Sequence, residues 1–272
     1  MADLPVPGGV VGAGPSSPAE LFSLAGRVAF VSGASTGIGR HVAAVLAQAG
    51  AAVALAARRV EAAEEAAAGL RARGHRACAV ALDVTRAETI APAFDAAQQA
   101  LGGAADILFN NAGISVVKRF LDQTEDDIDR VLDTNLKGAM LVAQEAARRM
   151  LPLERGSIIN VASIAGVRAG GFMASYGASK AGLIQLGGVM ALELAGKGIR
   201  VNTLLPGNIE TGMQDAFDAA GFTETLIRRT PMRRHGRPDD LDGAVLLLAS
   251  DAGRYMTGSV LTVDGGNALA WM

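Results

Sequence analysis

Seven short apolar runs alternate with longer Ala- and Leu-rich stretches along most of the chain, and this alternation constrains the fold more than any single motif. The runs are "RVAFVS", "AAVALAA", "RACAVALD", "ADILFN", "GSIINVAS", "IRVNTLLP" and "GSVLTVD". Each is nearly continuous in apolar residues, the pattern of strands covered by other elements on both faces. The stretches between them, roughly 38–49, 60–73, 86–101, 124–150, 174–197 and 238–250, read as helices. Strand–helix alternation of this kind predicts an α/β fold, a doubly wound parallel sheet with helices on both faces. No composition shift or internal repeat marks a second domain, so residues 24–272 are expected to form one unit. Residues 207–230 are less regular and follow the C-terminal end of a strand, where open α/β sheets bind ligands, so they are expected to act as a lid.

Composition narrows the function classes. The 272 residues are half hydrophobic, enough for a large core, and carry a net charge of −2. That balance gives no electrostatic argument for nucleic acid or an anionic membrane, and no apolar run is long enough to span a bilayer. Cys78 is the single cysteine, which excludes an intrachain disulfide framework. His41, His75 and His235 lie far apart without metal-like spacing, so no metal is expected. Residues 1–23 are rich in Gly, Pro and Ser and lack the basic and long apolar parts of a secretion signal. A flexible arm and a cytoplasmic location are the expectation.

After the first strand comes "SGASTGIGR", with Gly33, Gly37 and Gly39 leading into a helix. Glycines there permit a tight turn and close backbone approach, and the helix N-terminus offers free N–H groups to a pyrophosphate. The spacing is Gly-x-x-x-Gly-x-Gly rather than the Gly-x-Gly-x-x-Gly fingerprint; the mechanics match even so. At the end of the second strand an acidic residue would hold the ribose hydroxyls of NAD. Ala57 stands there instead, followed by Arg58 and Arg59, whose guanidiniums suit a 2′-phosphate. This favours NADP over NAD, with NAD left open.

"SYGASK" places Tyr176 one helical turn before Lys180. Residues four apart on a helix share a face, and a phenol beside a cation ionises more easily, which suits proton transfer. The same spacing occurs by chance on many surface helices, so it gains weight only from its context.

With these residues in hand, the chain resembles the short-chain dehydrogenase/reductase family, in its single-domain Rossmann-like branch, from about Leu24 to Gly266. The resemblance rests on the joint order of "SGASTGIG", "NNAG" at 110–113, Asn135 in "DTNLKG", Ser163 in "INVASIAG", "YGASK", "PGNIET" at 206–211 and "TGSVLTVDGG". Ser32, where the family usually has Thr, is a small departure that keeps the hydroxyl. The resemblance implies that Tyr176 is the acid/base, that Lys180 lowers the phenol's pKa and holds the nicotinamide ribose, and that Ser163 polarises the substrate carbonyl. It implies that Asn135 holds a water linking Lys180 to solvent. It further implies that Gly33, Ser35, Thr36, Gly37, Ile38 and Gly39 cradle the pyrophosphate and that Asp83 and Val84 flank the adenine. Asn111, Ala112 and Gly113 would line the adenosine side; Pro206, Gly207, Ile209 and Thr211 would meet the nicotinamide half. Physically, carbonyl reduction needs a hydride and a proton, and Tyr176 with Ser163 can deliver the proton and stabilise the developing oxyanion. Taken singly, Ser163 could as well be a helix cap and Asn135 a buried helix hydrogen bond.

The expected substrate pocket combines Ser163, Val116, Phe172 and Asn208 with the lid residues Met213 and Phe217, joined by Val117, Ile209 and Phe222. Its apolar character favours a hydrophobic ketone or 3-oxoacyl substrate over a sugar or polyol. An acyl-carrier partner would need a basic docking patch, for which Arg119, Arg130, Arg148 and Arg149 are candidates. A non-catalytic redox sensor is the reading from another class, and it would predict a broken Ser/Tyr/Lys set. The run "RRTPMRRHGRP" reads as a solvated loop. Helices 124–150 and 174–197, through Gly182, Leu183, Leu186, Gly187 and Met190, and the C-terminal segment with Trp271 are expected to build a homotetramer or homodimer.

Overall fold

The computed structural model describes residues 17–212, 221 and 223–269. A one-turn helix α1 (Pro18–Leu21), closed by a Ser17/Glu20 capping box, precedes the sheet. The sheet then builds by strict alternation: β1 (Val28–Ser32), α2 (Gly37–Gln48), β2 (Ala52–Ala57), α3 (Val60–Arg71), β3 (Ala77–Ala81), α4 (Ile90–Leu101) and β4 (Ile107–Asn110). The second half runs α5 (Glu125–Leu132), a π-helical turn Asp133–Gly138, α6 (Ala139–Met150), β5 (Gly156–Val161), α7 (Ala174–Leu194) and β6 (Ile199–Pro206). Helices α8 (Thr223–Arg229) and α9 (Asp242–Ala249) and strand β7 (Val260–Val263) complete it. All seven strands are parallel, in the order β3-β2-β1-β4-β5-β6-β7.

The five central runs became strands because both of their faces are buried, while the edge strands β3 and β7 are only partly covered. β2 is buried at every position, and its alanines let helices approach the sheet closely. One face packs Val31, Leu55 and Phe109 against Leu46 of α2, Leu70 of α3 and Leu248 of α9. The other packs Phe30 and Ile158 against Phe94 of α4 and Met150 of α6, with the Phe30 and Phe94 rings stacked at 4.0 Å. Near the strands' C-terminal ends the register aligns Ser32, Asn110, Asn160 and Thr203 in one row. Asn110 Nδ2 donates to Asn160 Oδ1 at 3.1 Å and to Ala139 O at 2.8 Å, tying α6 to this row. At the opposite end, buried Asp106 accepts from Val28 N at 2.9 Å and pairs with Arg27 and Arg155, a clamp far from the ligand-binding edge.

One expectation needs correcting. On α7, Leu183 and Gly187 do not form an exposed pairing face; both are buried within the protomer. A Cβ at Gly187 would lie 2.5 Å from Thr203 Oγ1, so this glycine lets α7 sit directly on β6. Leu186 and Met190 also pack against the protomer's own core. The large apolar side chains that α7 leaves to solvent are Val189 and Leu192, the latter 87 % exposed. The basic run keeps its arginines at the surface, as a solvated loop does, and there Arg234 grips Asp240 through two bonds of 2.5 and 2.7 Å and Arg237 grips Asp239. Cys78 lies on edge strand β3, and burial pushes its thiol up to about 11, leaving it unreactive. Among the described residues, no helix is long and apolar enough to cross a membrane.

Candidate active site

The turn between β1 and α2 is built by hydrogen bonds that the β4 loop supplies. Ser32 Oγ accepts from Asn111 N at 3.0 Å and Ala112 N at 3.1 Å, while Asn111 Nδ2 donates to Ser32 O and Gly33 O. The hydroxyl at position 32 therefore joins two strand ends, a role that the sequence reading did not assign. Gly33 has φ +68°, and a Cβ there would lie 2.9 Å from Ala112 Cα. At Gly39 a Cβ would lie 2.4 Å from Gly33 O. Both positions exclude a side chain, and Thr36 at the head of α2 makes no side-chain cap, leaving the first N–H groups of that helix for a ligand.

In front of this turn runs a groove of about 710 Å³. Gly33, Ser35, Thr36, Gly37 and Ile38 line it from the turn, with Arg58 and Arg59 from the end of β2 and Asp83 and Val84 from beyond β3. Asn111, Ala112, Gly113 and Thr211, also expected, line it too. Leu82, Thr85, Ile114, Ser115, Thr134 and Gly212 also line it and had no sequence signal beyond adjacency. Gly39 supports the groove by close packing and does not line it. The size and the side-chain-free cradle fit a dinucleotide.

Tyr176 and Lys180 share one face of α7 and are both buried. Lys180 Nζ donates to Val161 O at 2.8 Å and lies 5.7 Å from the centroid of the Tyr176 ring. Burial holds the phenol above its ordinary value, and a side-chain hydrogen bond with Ser163 acts in the opposite sense. Among the protein's own groups, desolvation outweighs the Ser163 bond. Burial also pulls the Lys180 ammonium down to about 8. Ser163, just beyond β5, caps the short turn Ile164–Gly166 by accepting from Ala165 N at 3.1 Å. It is thus both a cap and a neighbour of the phenol, so the two readings of it do not compete.

Asn135 sits in the π-helical turn between α5 and α6, an irregularity frequent at functional sites. Its Oδ1 accepts from Ile114 N at 2.8 Å, and its Nδ2 donates to Ile114 O at 2.9 Å and Ser179 Oγ at 3.1 Å. A Cβ at Gly113 would lie 3.3 Å from Asn135 Oδ1 and 3.5 Å from Lys180 Nζ, so the absent side chain leaves these two groups facing a shared space.

The remaining expected residues scatter. Pro206 ends β6, and Gly207 packs so tightly on Asp264 that a Cβ would lie 2.7 Å from its Cα. Asn208 and Ile209 line a second cleft of about 240 Å³ with Thr230, Met232 and Asp264, where backbone bonds join this loop to Gly236. Val116 is half-buried and lines neither cleft. Phe172 has φ 66°, unusual for a bulky residue, and its carbonyl accepts from Lys118 N at 3.1 Å. Met213, Phe217, Phe222 and Trp271 lie outside the described residues.

Residues 33–268 match the family described as Enoyl-(Acyl carrier protein) reductase. A gluconate 5-dehydrogenase of Gluconobacter oxydans is 37 % identical over 248 residues, 91 % of this chain and 96 % of that protein. The chain belongs to the short-chain dehydrogenase/reductase family. Within that family, a 3-oxoacyl-(acyl-carrier-protein) reductase of Thermotoga maritima is 36 % identical over 246 residues, covering 89 % of this chain and 98 % of the relative. The solved structure of a gluconate 5-dehydrogenase from Burkholderia cenocepacia, in complex with NADP and tartrate, superposes with a TM-score of 0.88 at 37 % identity, over 93 % of this chain and 99 % of that one. Membership of the short-chain dehydrogenase/reductase family makes the protein an oxidoreductase.

Proposed function

We propose that the protein is a cytoplasmic NADP(H)-dependent oxidoreductase that interconverts a ketone and a secondary alcohol, with Tyr176 as its acid/base. The observation that carries this reading is the convergence of buried Tyr176, Lys180 and Asn135, with Ser163, beside a groove of dinucleotide size. When bound, the nicotinamide cofactor supplies or takes the hydride. The Gly33–Gly39 turn and the head of α2 would hold its pyrophosphate, Asp83 and Val84 its adenine, and Asn111 to Gly113 its adenosine side. Pro206, Gly207, Ile209 and Thr211 would approach the nicotinamide half. Ser163 polarises the carbonyl, and Tyr176, kept protonated by burial, gives its proton to the forming alkoxide. Lys180 then returns a proton to the phenol and is resupplied from solvent through the water that Asn135 would hold. An intact Ser163/Tyr176/Lys180 set argues against a non-catalytic redox sensor.

For the substrate, the exposed apolar Val167 and Phe172, on the segment between Ser163 and α7, favour a hydrophobic carbonyl or 3-oxoacyl group. The basic patch that an acyl carrier would need is weaker than the sequence suggests. Arg149 pairs with Asp95 and Glu145, Arg148 with Glu145 and Arg130 with Asp126. A sugar acid or polyol is the second reading, favoured by the gluconate 5-dehydrogenase relative and by the neighbour that holds tartrate. Initial rates on a panel of aliphatic ketones, 3-oxoacyl thioesters and keto-sugar acids, with NADPH and NADH, decide between them.

Arg58 and Arg59 are exposed at the groove wall, and Ala57 is buried beside them. Arg58→Ala should raise KM for NADP about 10-fold or more, the worth of one charge-assisted contact, and leave KM for NAD nearly unchanged. Ala57→Asp should shift the preference the same way by repelling the 2′-phosphate. Unchanged NADP/NAD ratios of kcat/KM in both variants would remove Arg58 from this role.

The assembly proposed is a homotetramer or homodimer. Met140 on α6, Val189 and Leu192 on α7 and Val260 on edge strand β7 are exposed apolar groups on the elements available for pairing. Light scattering at micromolar concentration should give two or four times the chain mass of 27.7 kDa; a stable monomer contradicts the assembly.

A further inference from the structure

We infer that Ser179 is a positioning residue that locks the Asn135 amide onto the helix carrying Tyr176 and Lys180. Ser179 is fully buried, one residue before Lys180. Its hydroxyl donates to the Tyr176 carbonyl at 2.6 Å, one turn back along α7. A hydroxyl has a single proton, so with that proton committed its oxygen must accept, and Asn135 Nδ2 donates to it at 3.1 Å. The amide therefore presents its NH₂ to α7 and its Oδ1 toward Ile114 N, on the side where Gly113 leaves space shared with Lys180 Nζ. Ile114 alone would set the amide's orientation but would not bind it to α7. Ser179 joins the π-helical turn to the helix bearing the proposed acid/base, so that Asn135 and Lys180 keep one separation. This inference rests on the proposed role of Tyr176, Lys180 and Asn135 in proton transfer.

The test is a double-mutant cycle on Asn135→Ala and Ser179→Ala, measured as kcat with saturating NADPH and the best ketone of the panel. Ser179→Ala should lower kcat about 10-fold, the worth of one hydrogen bond to a reacting network, with KM for NADPH unchanged. The double variant should be no slower than Asn135→Ala alone, because Ser179 acts through Asn135. Ser179→Thr, which keeps the hydroxyl, should recover most of the loss. Additive losses in the double variant, or wild-type kcat in Ser179→Ala, overturn the inference. If Ser179→Ala does not fold, Ser179→Cys, a near-isostere with a weak donor, takes its place in the same cycle under the same criteria. Tyr176→Phe separates the two levels. An active Tyr176→Phe defeats the catalytic reading itself, whereas an inactive one combined with an additive cycle defeats only the role of Ser179.

Discussion

Tyr176→Phe is expected to lower kcat by about 10²- to 10⁴-fold, the range that general acid/base catalysis contributes, while the Kd for NADPH changes less than about twofold. The phenol is buried, and phenylalanine fills nearly the same volume, so α7 keeps its packing. The hydroxyl it removes has two neighbours that matter. Ser163 loses a side-chain partner, a loss of about 1 kcal/mol at most. The forming alkoxide loses its proton donor, because Tyr176 is the group that bonds with Ser163, while Lys180 Nζ lies 5.7 Å from the ring centroid. The groove wall is made by other residues, so binding survives. Steady-state NADPH oxidation and a fluorescence titration of NADPH check both halves. Retention of more than about a tenth of kcat would take the proton-transfer role away from Tyr176.

Gly39→Ala should weaken NADPH binding by more than about 10-fold and destabilise the fold by about 1–3 kcal/mol, as overpacking of a tight site does. The added Cβ would lie 2.4 Å from Gly33 O and 2.6 Å from Asn111 Nδ2. Neither neighbour can yield freely, because Asn111 holds Ser32 O and Gly33 O and its own N–H is fixed on Ser32 Oγ. The turn must therefore open, which moves the N–H groups at the head of α2 off the pyrophosphate. Gly69→Ala is the control, since a Cβ there meets nothing within 4 Å and its backbone is helical. That variant should keep wild-type affinity and gain a few tenths to 1 kcal/mol of stability. Thermal melting and NADPH titration of both variants check the pair. An unchanged Kd in Gly39→Ala would mean that this turn does not hold the phosphates.

The central strands were legible because burial on both faces removes polar positions from them, which leaves a signal no surface element imitates. The groove was legible for a related reason: strand C-terminal ends carry its residues, and the order of strands sets which ends adjoin. Helix faces were harder. On α7 nearly every side chain is small or apolar, so periodicity could not separate Leu183 and Gly187, which face β6, from Val189 and Leu192, which face outward. Ser32 and Ser179 were missed as structural links because a buried serine has no pattern of its own. What each does depends on a partner far along the chain, Asn111 for one and Asn135 for the other. The course of the loop holding Asn208 and Ile209 was hidden for the same reason, since its backbone bonds go to Gly236.

Lys180 also carries a consequence for the stability of the whole chain. It keeps an ammonium wholly inside the protein, and burial pulls that group from the ordinary lysine value of 10.5 down to about 8. Between those two pH values the unfolded chain holds a proton that the folded chain releases, so stability rises with pH across that window. Below pH 8 the folded state must keep the charge, which costs about 3 kcal/mol on the linkage scale, a large share of the ~5–15 kcal/mol that holds a typical domain together. The protein is thus least favoured thermodynamically in the protonation state that its proposed chemistry uses. An uncharged side chain at position 180 would remove that cost and lose the bond to Val161 O, so the second turn of α7 sets a proton-transfer group against the stability of the fold.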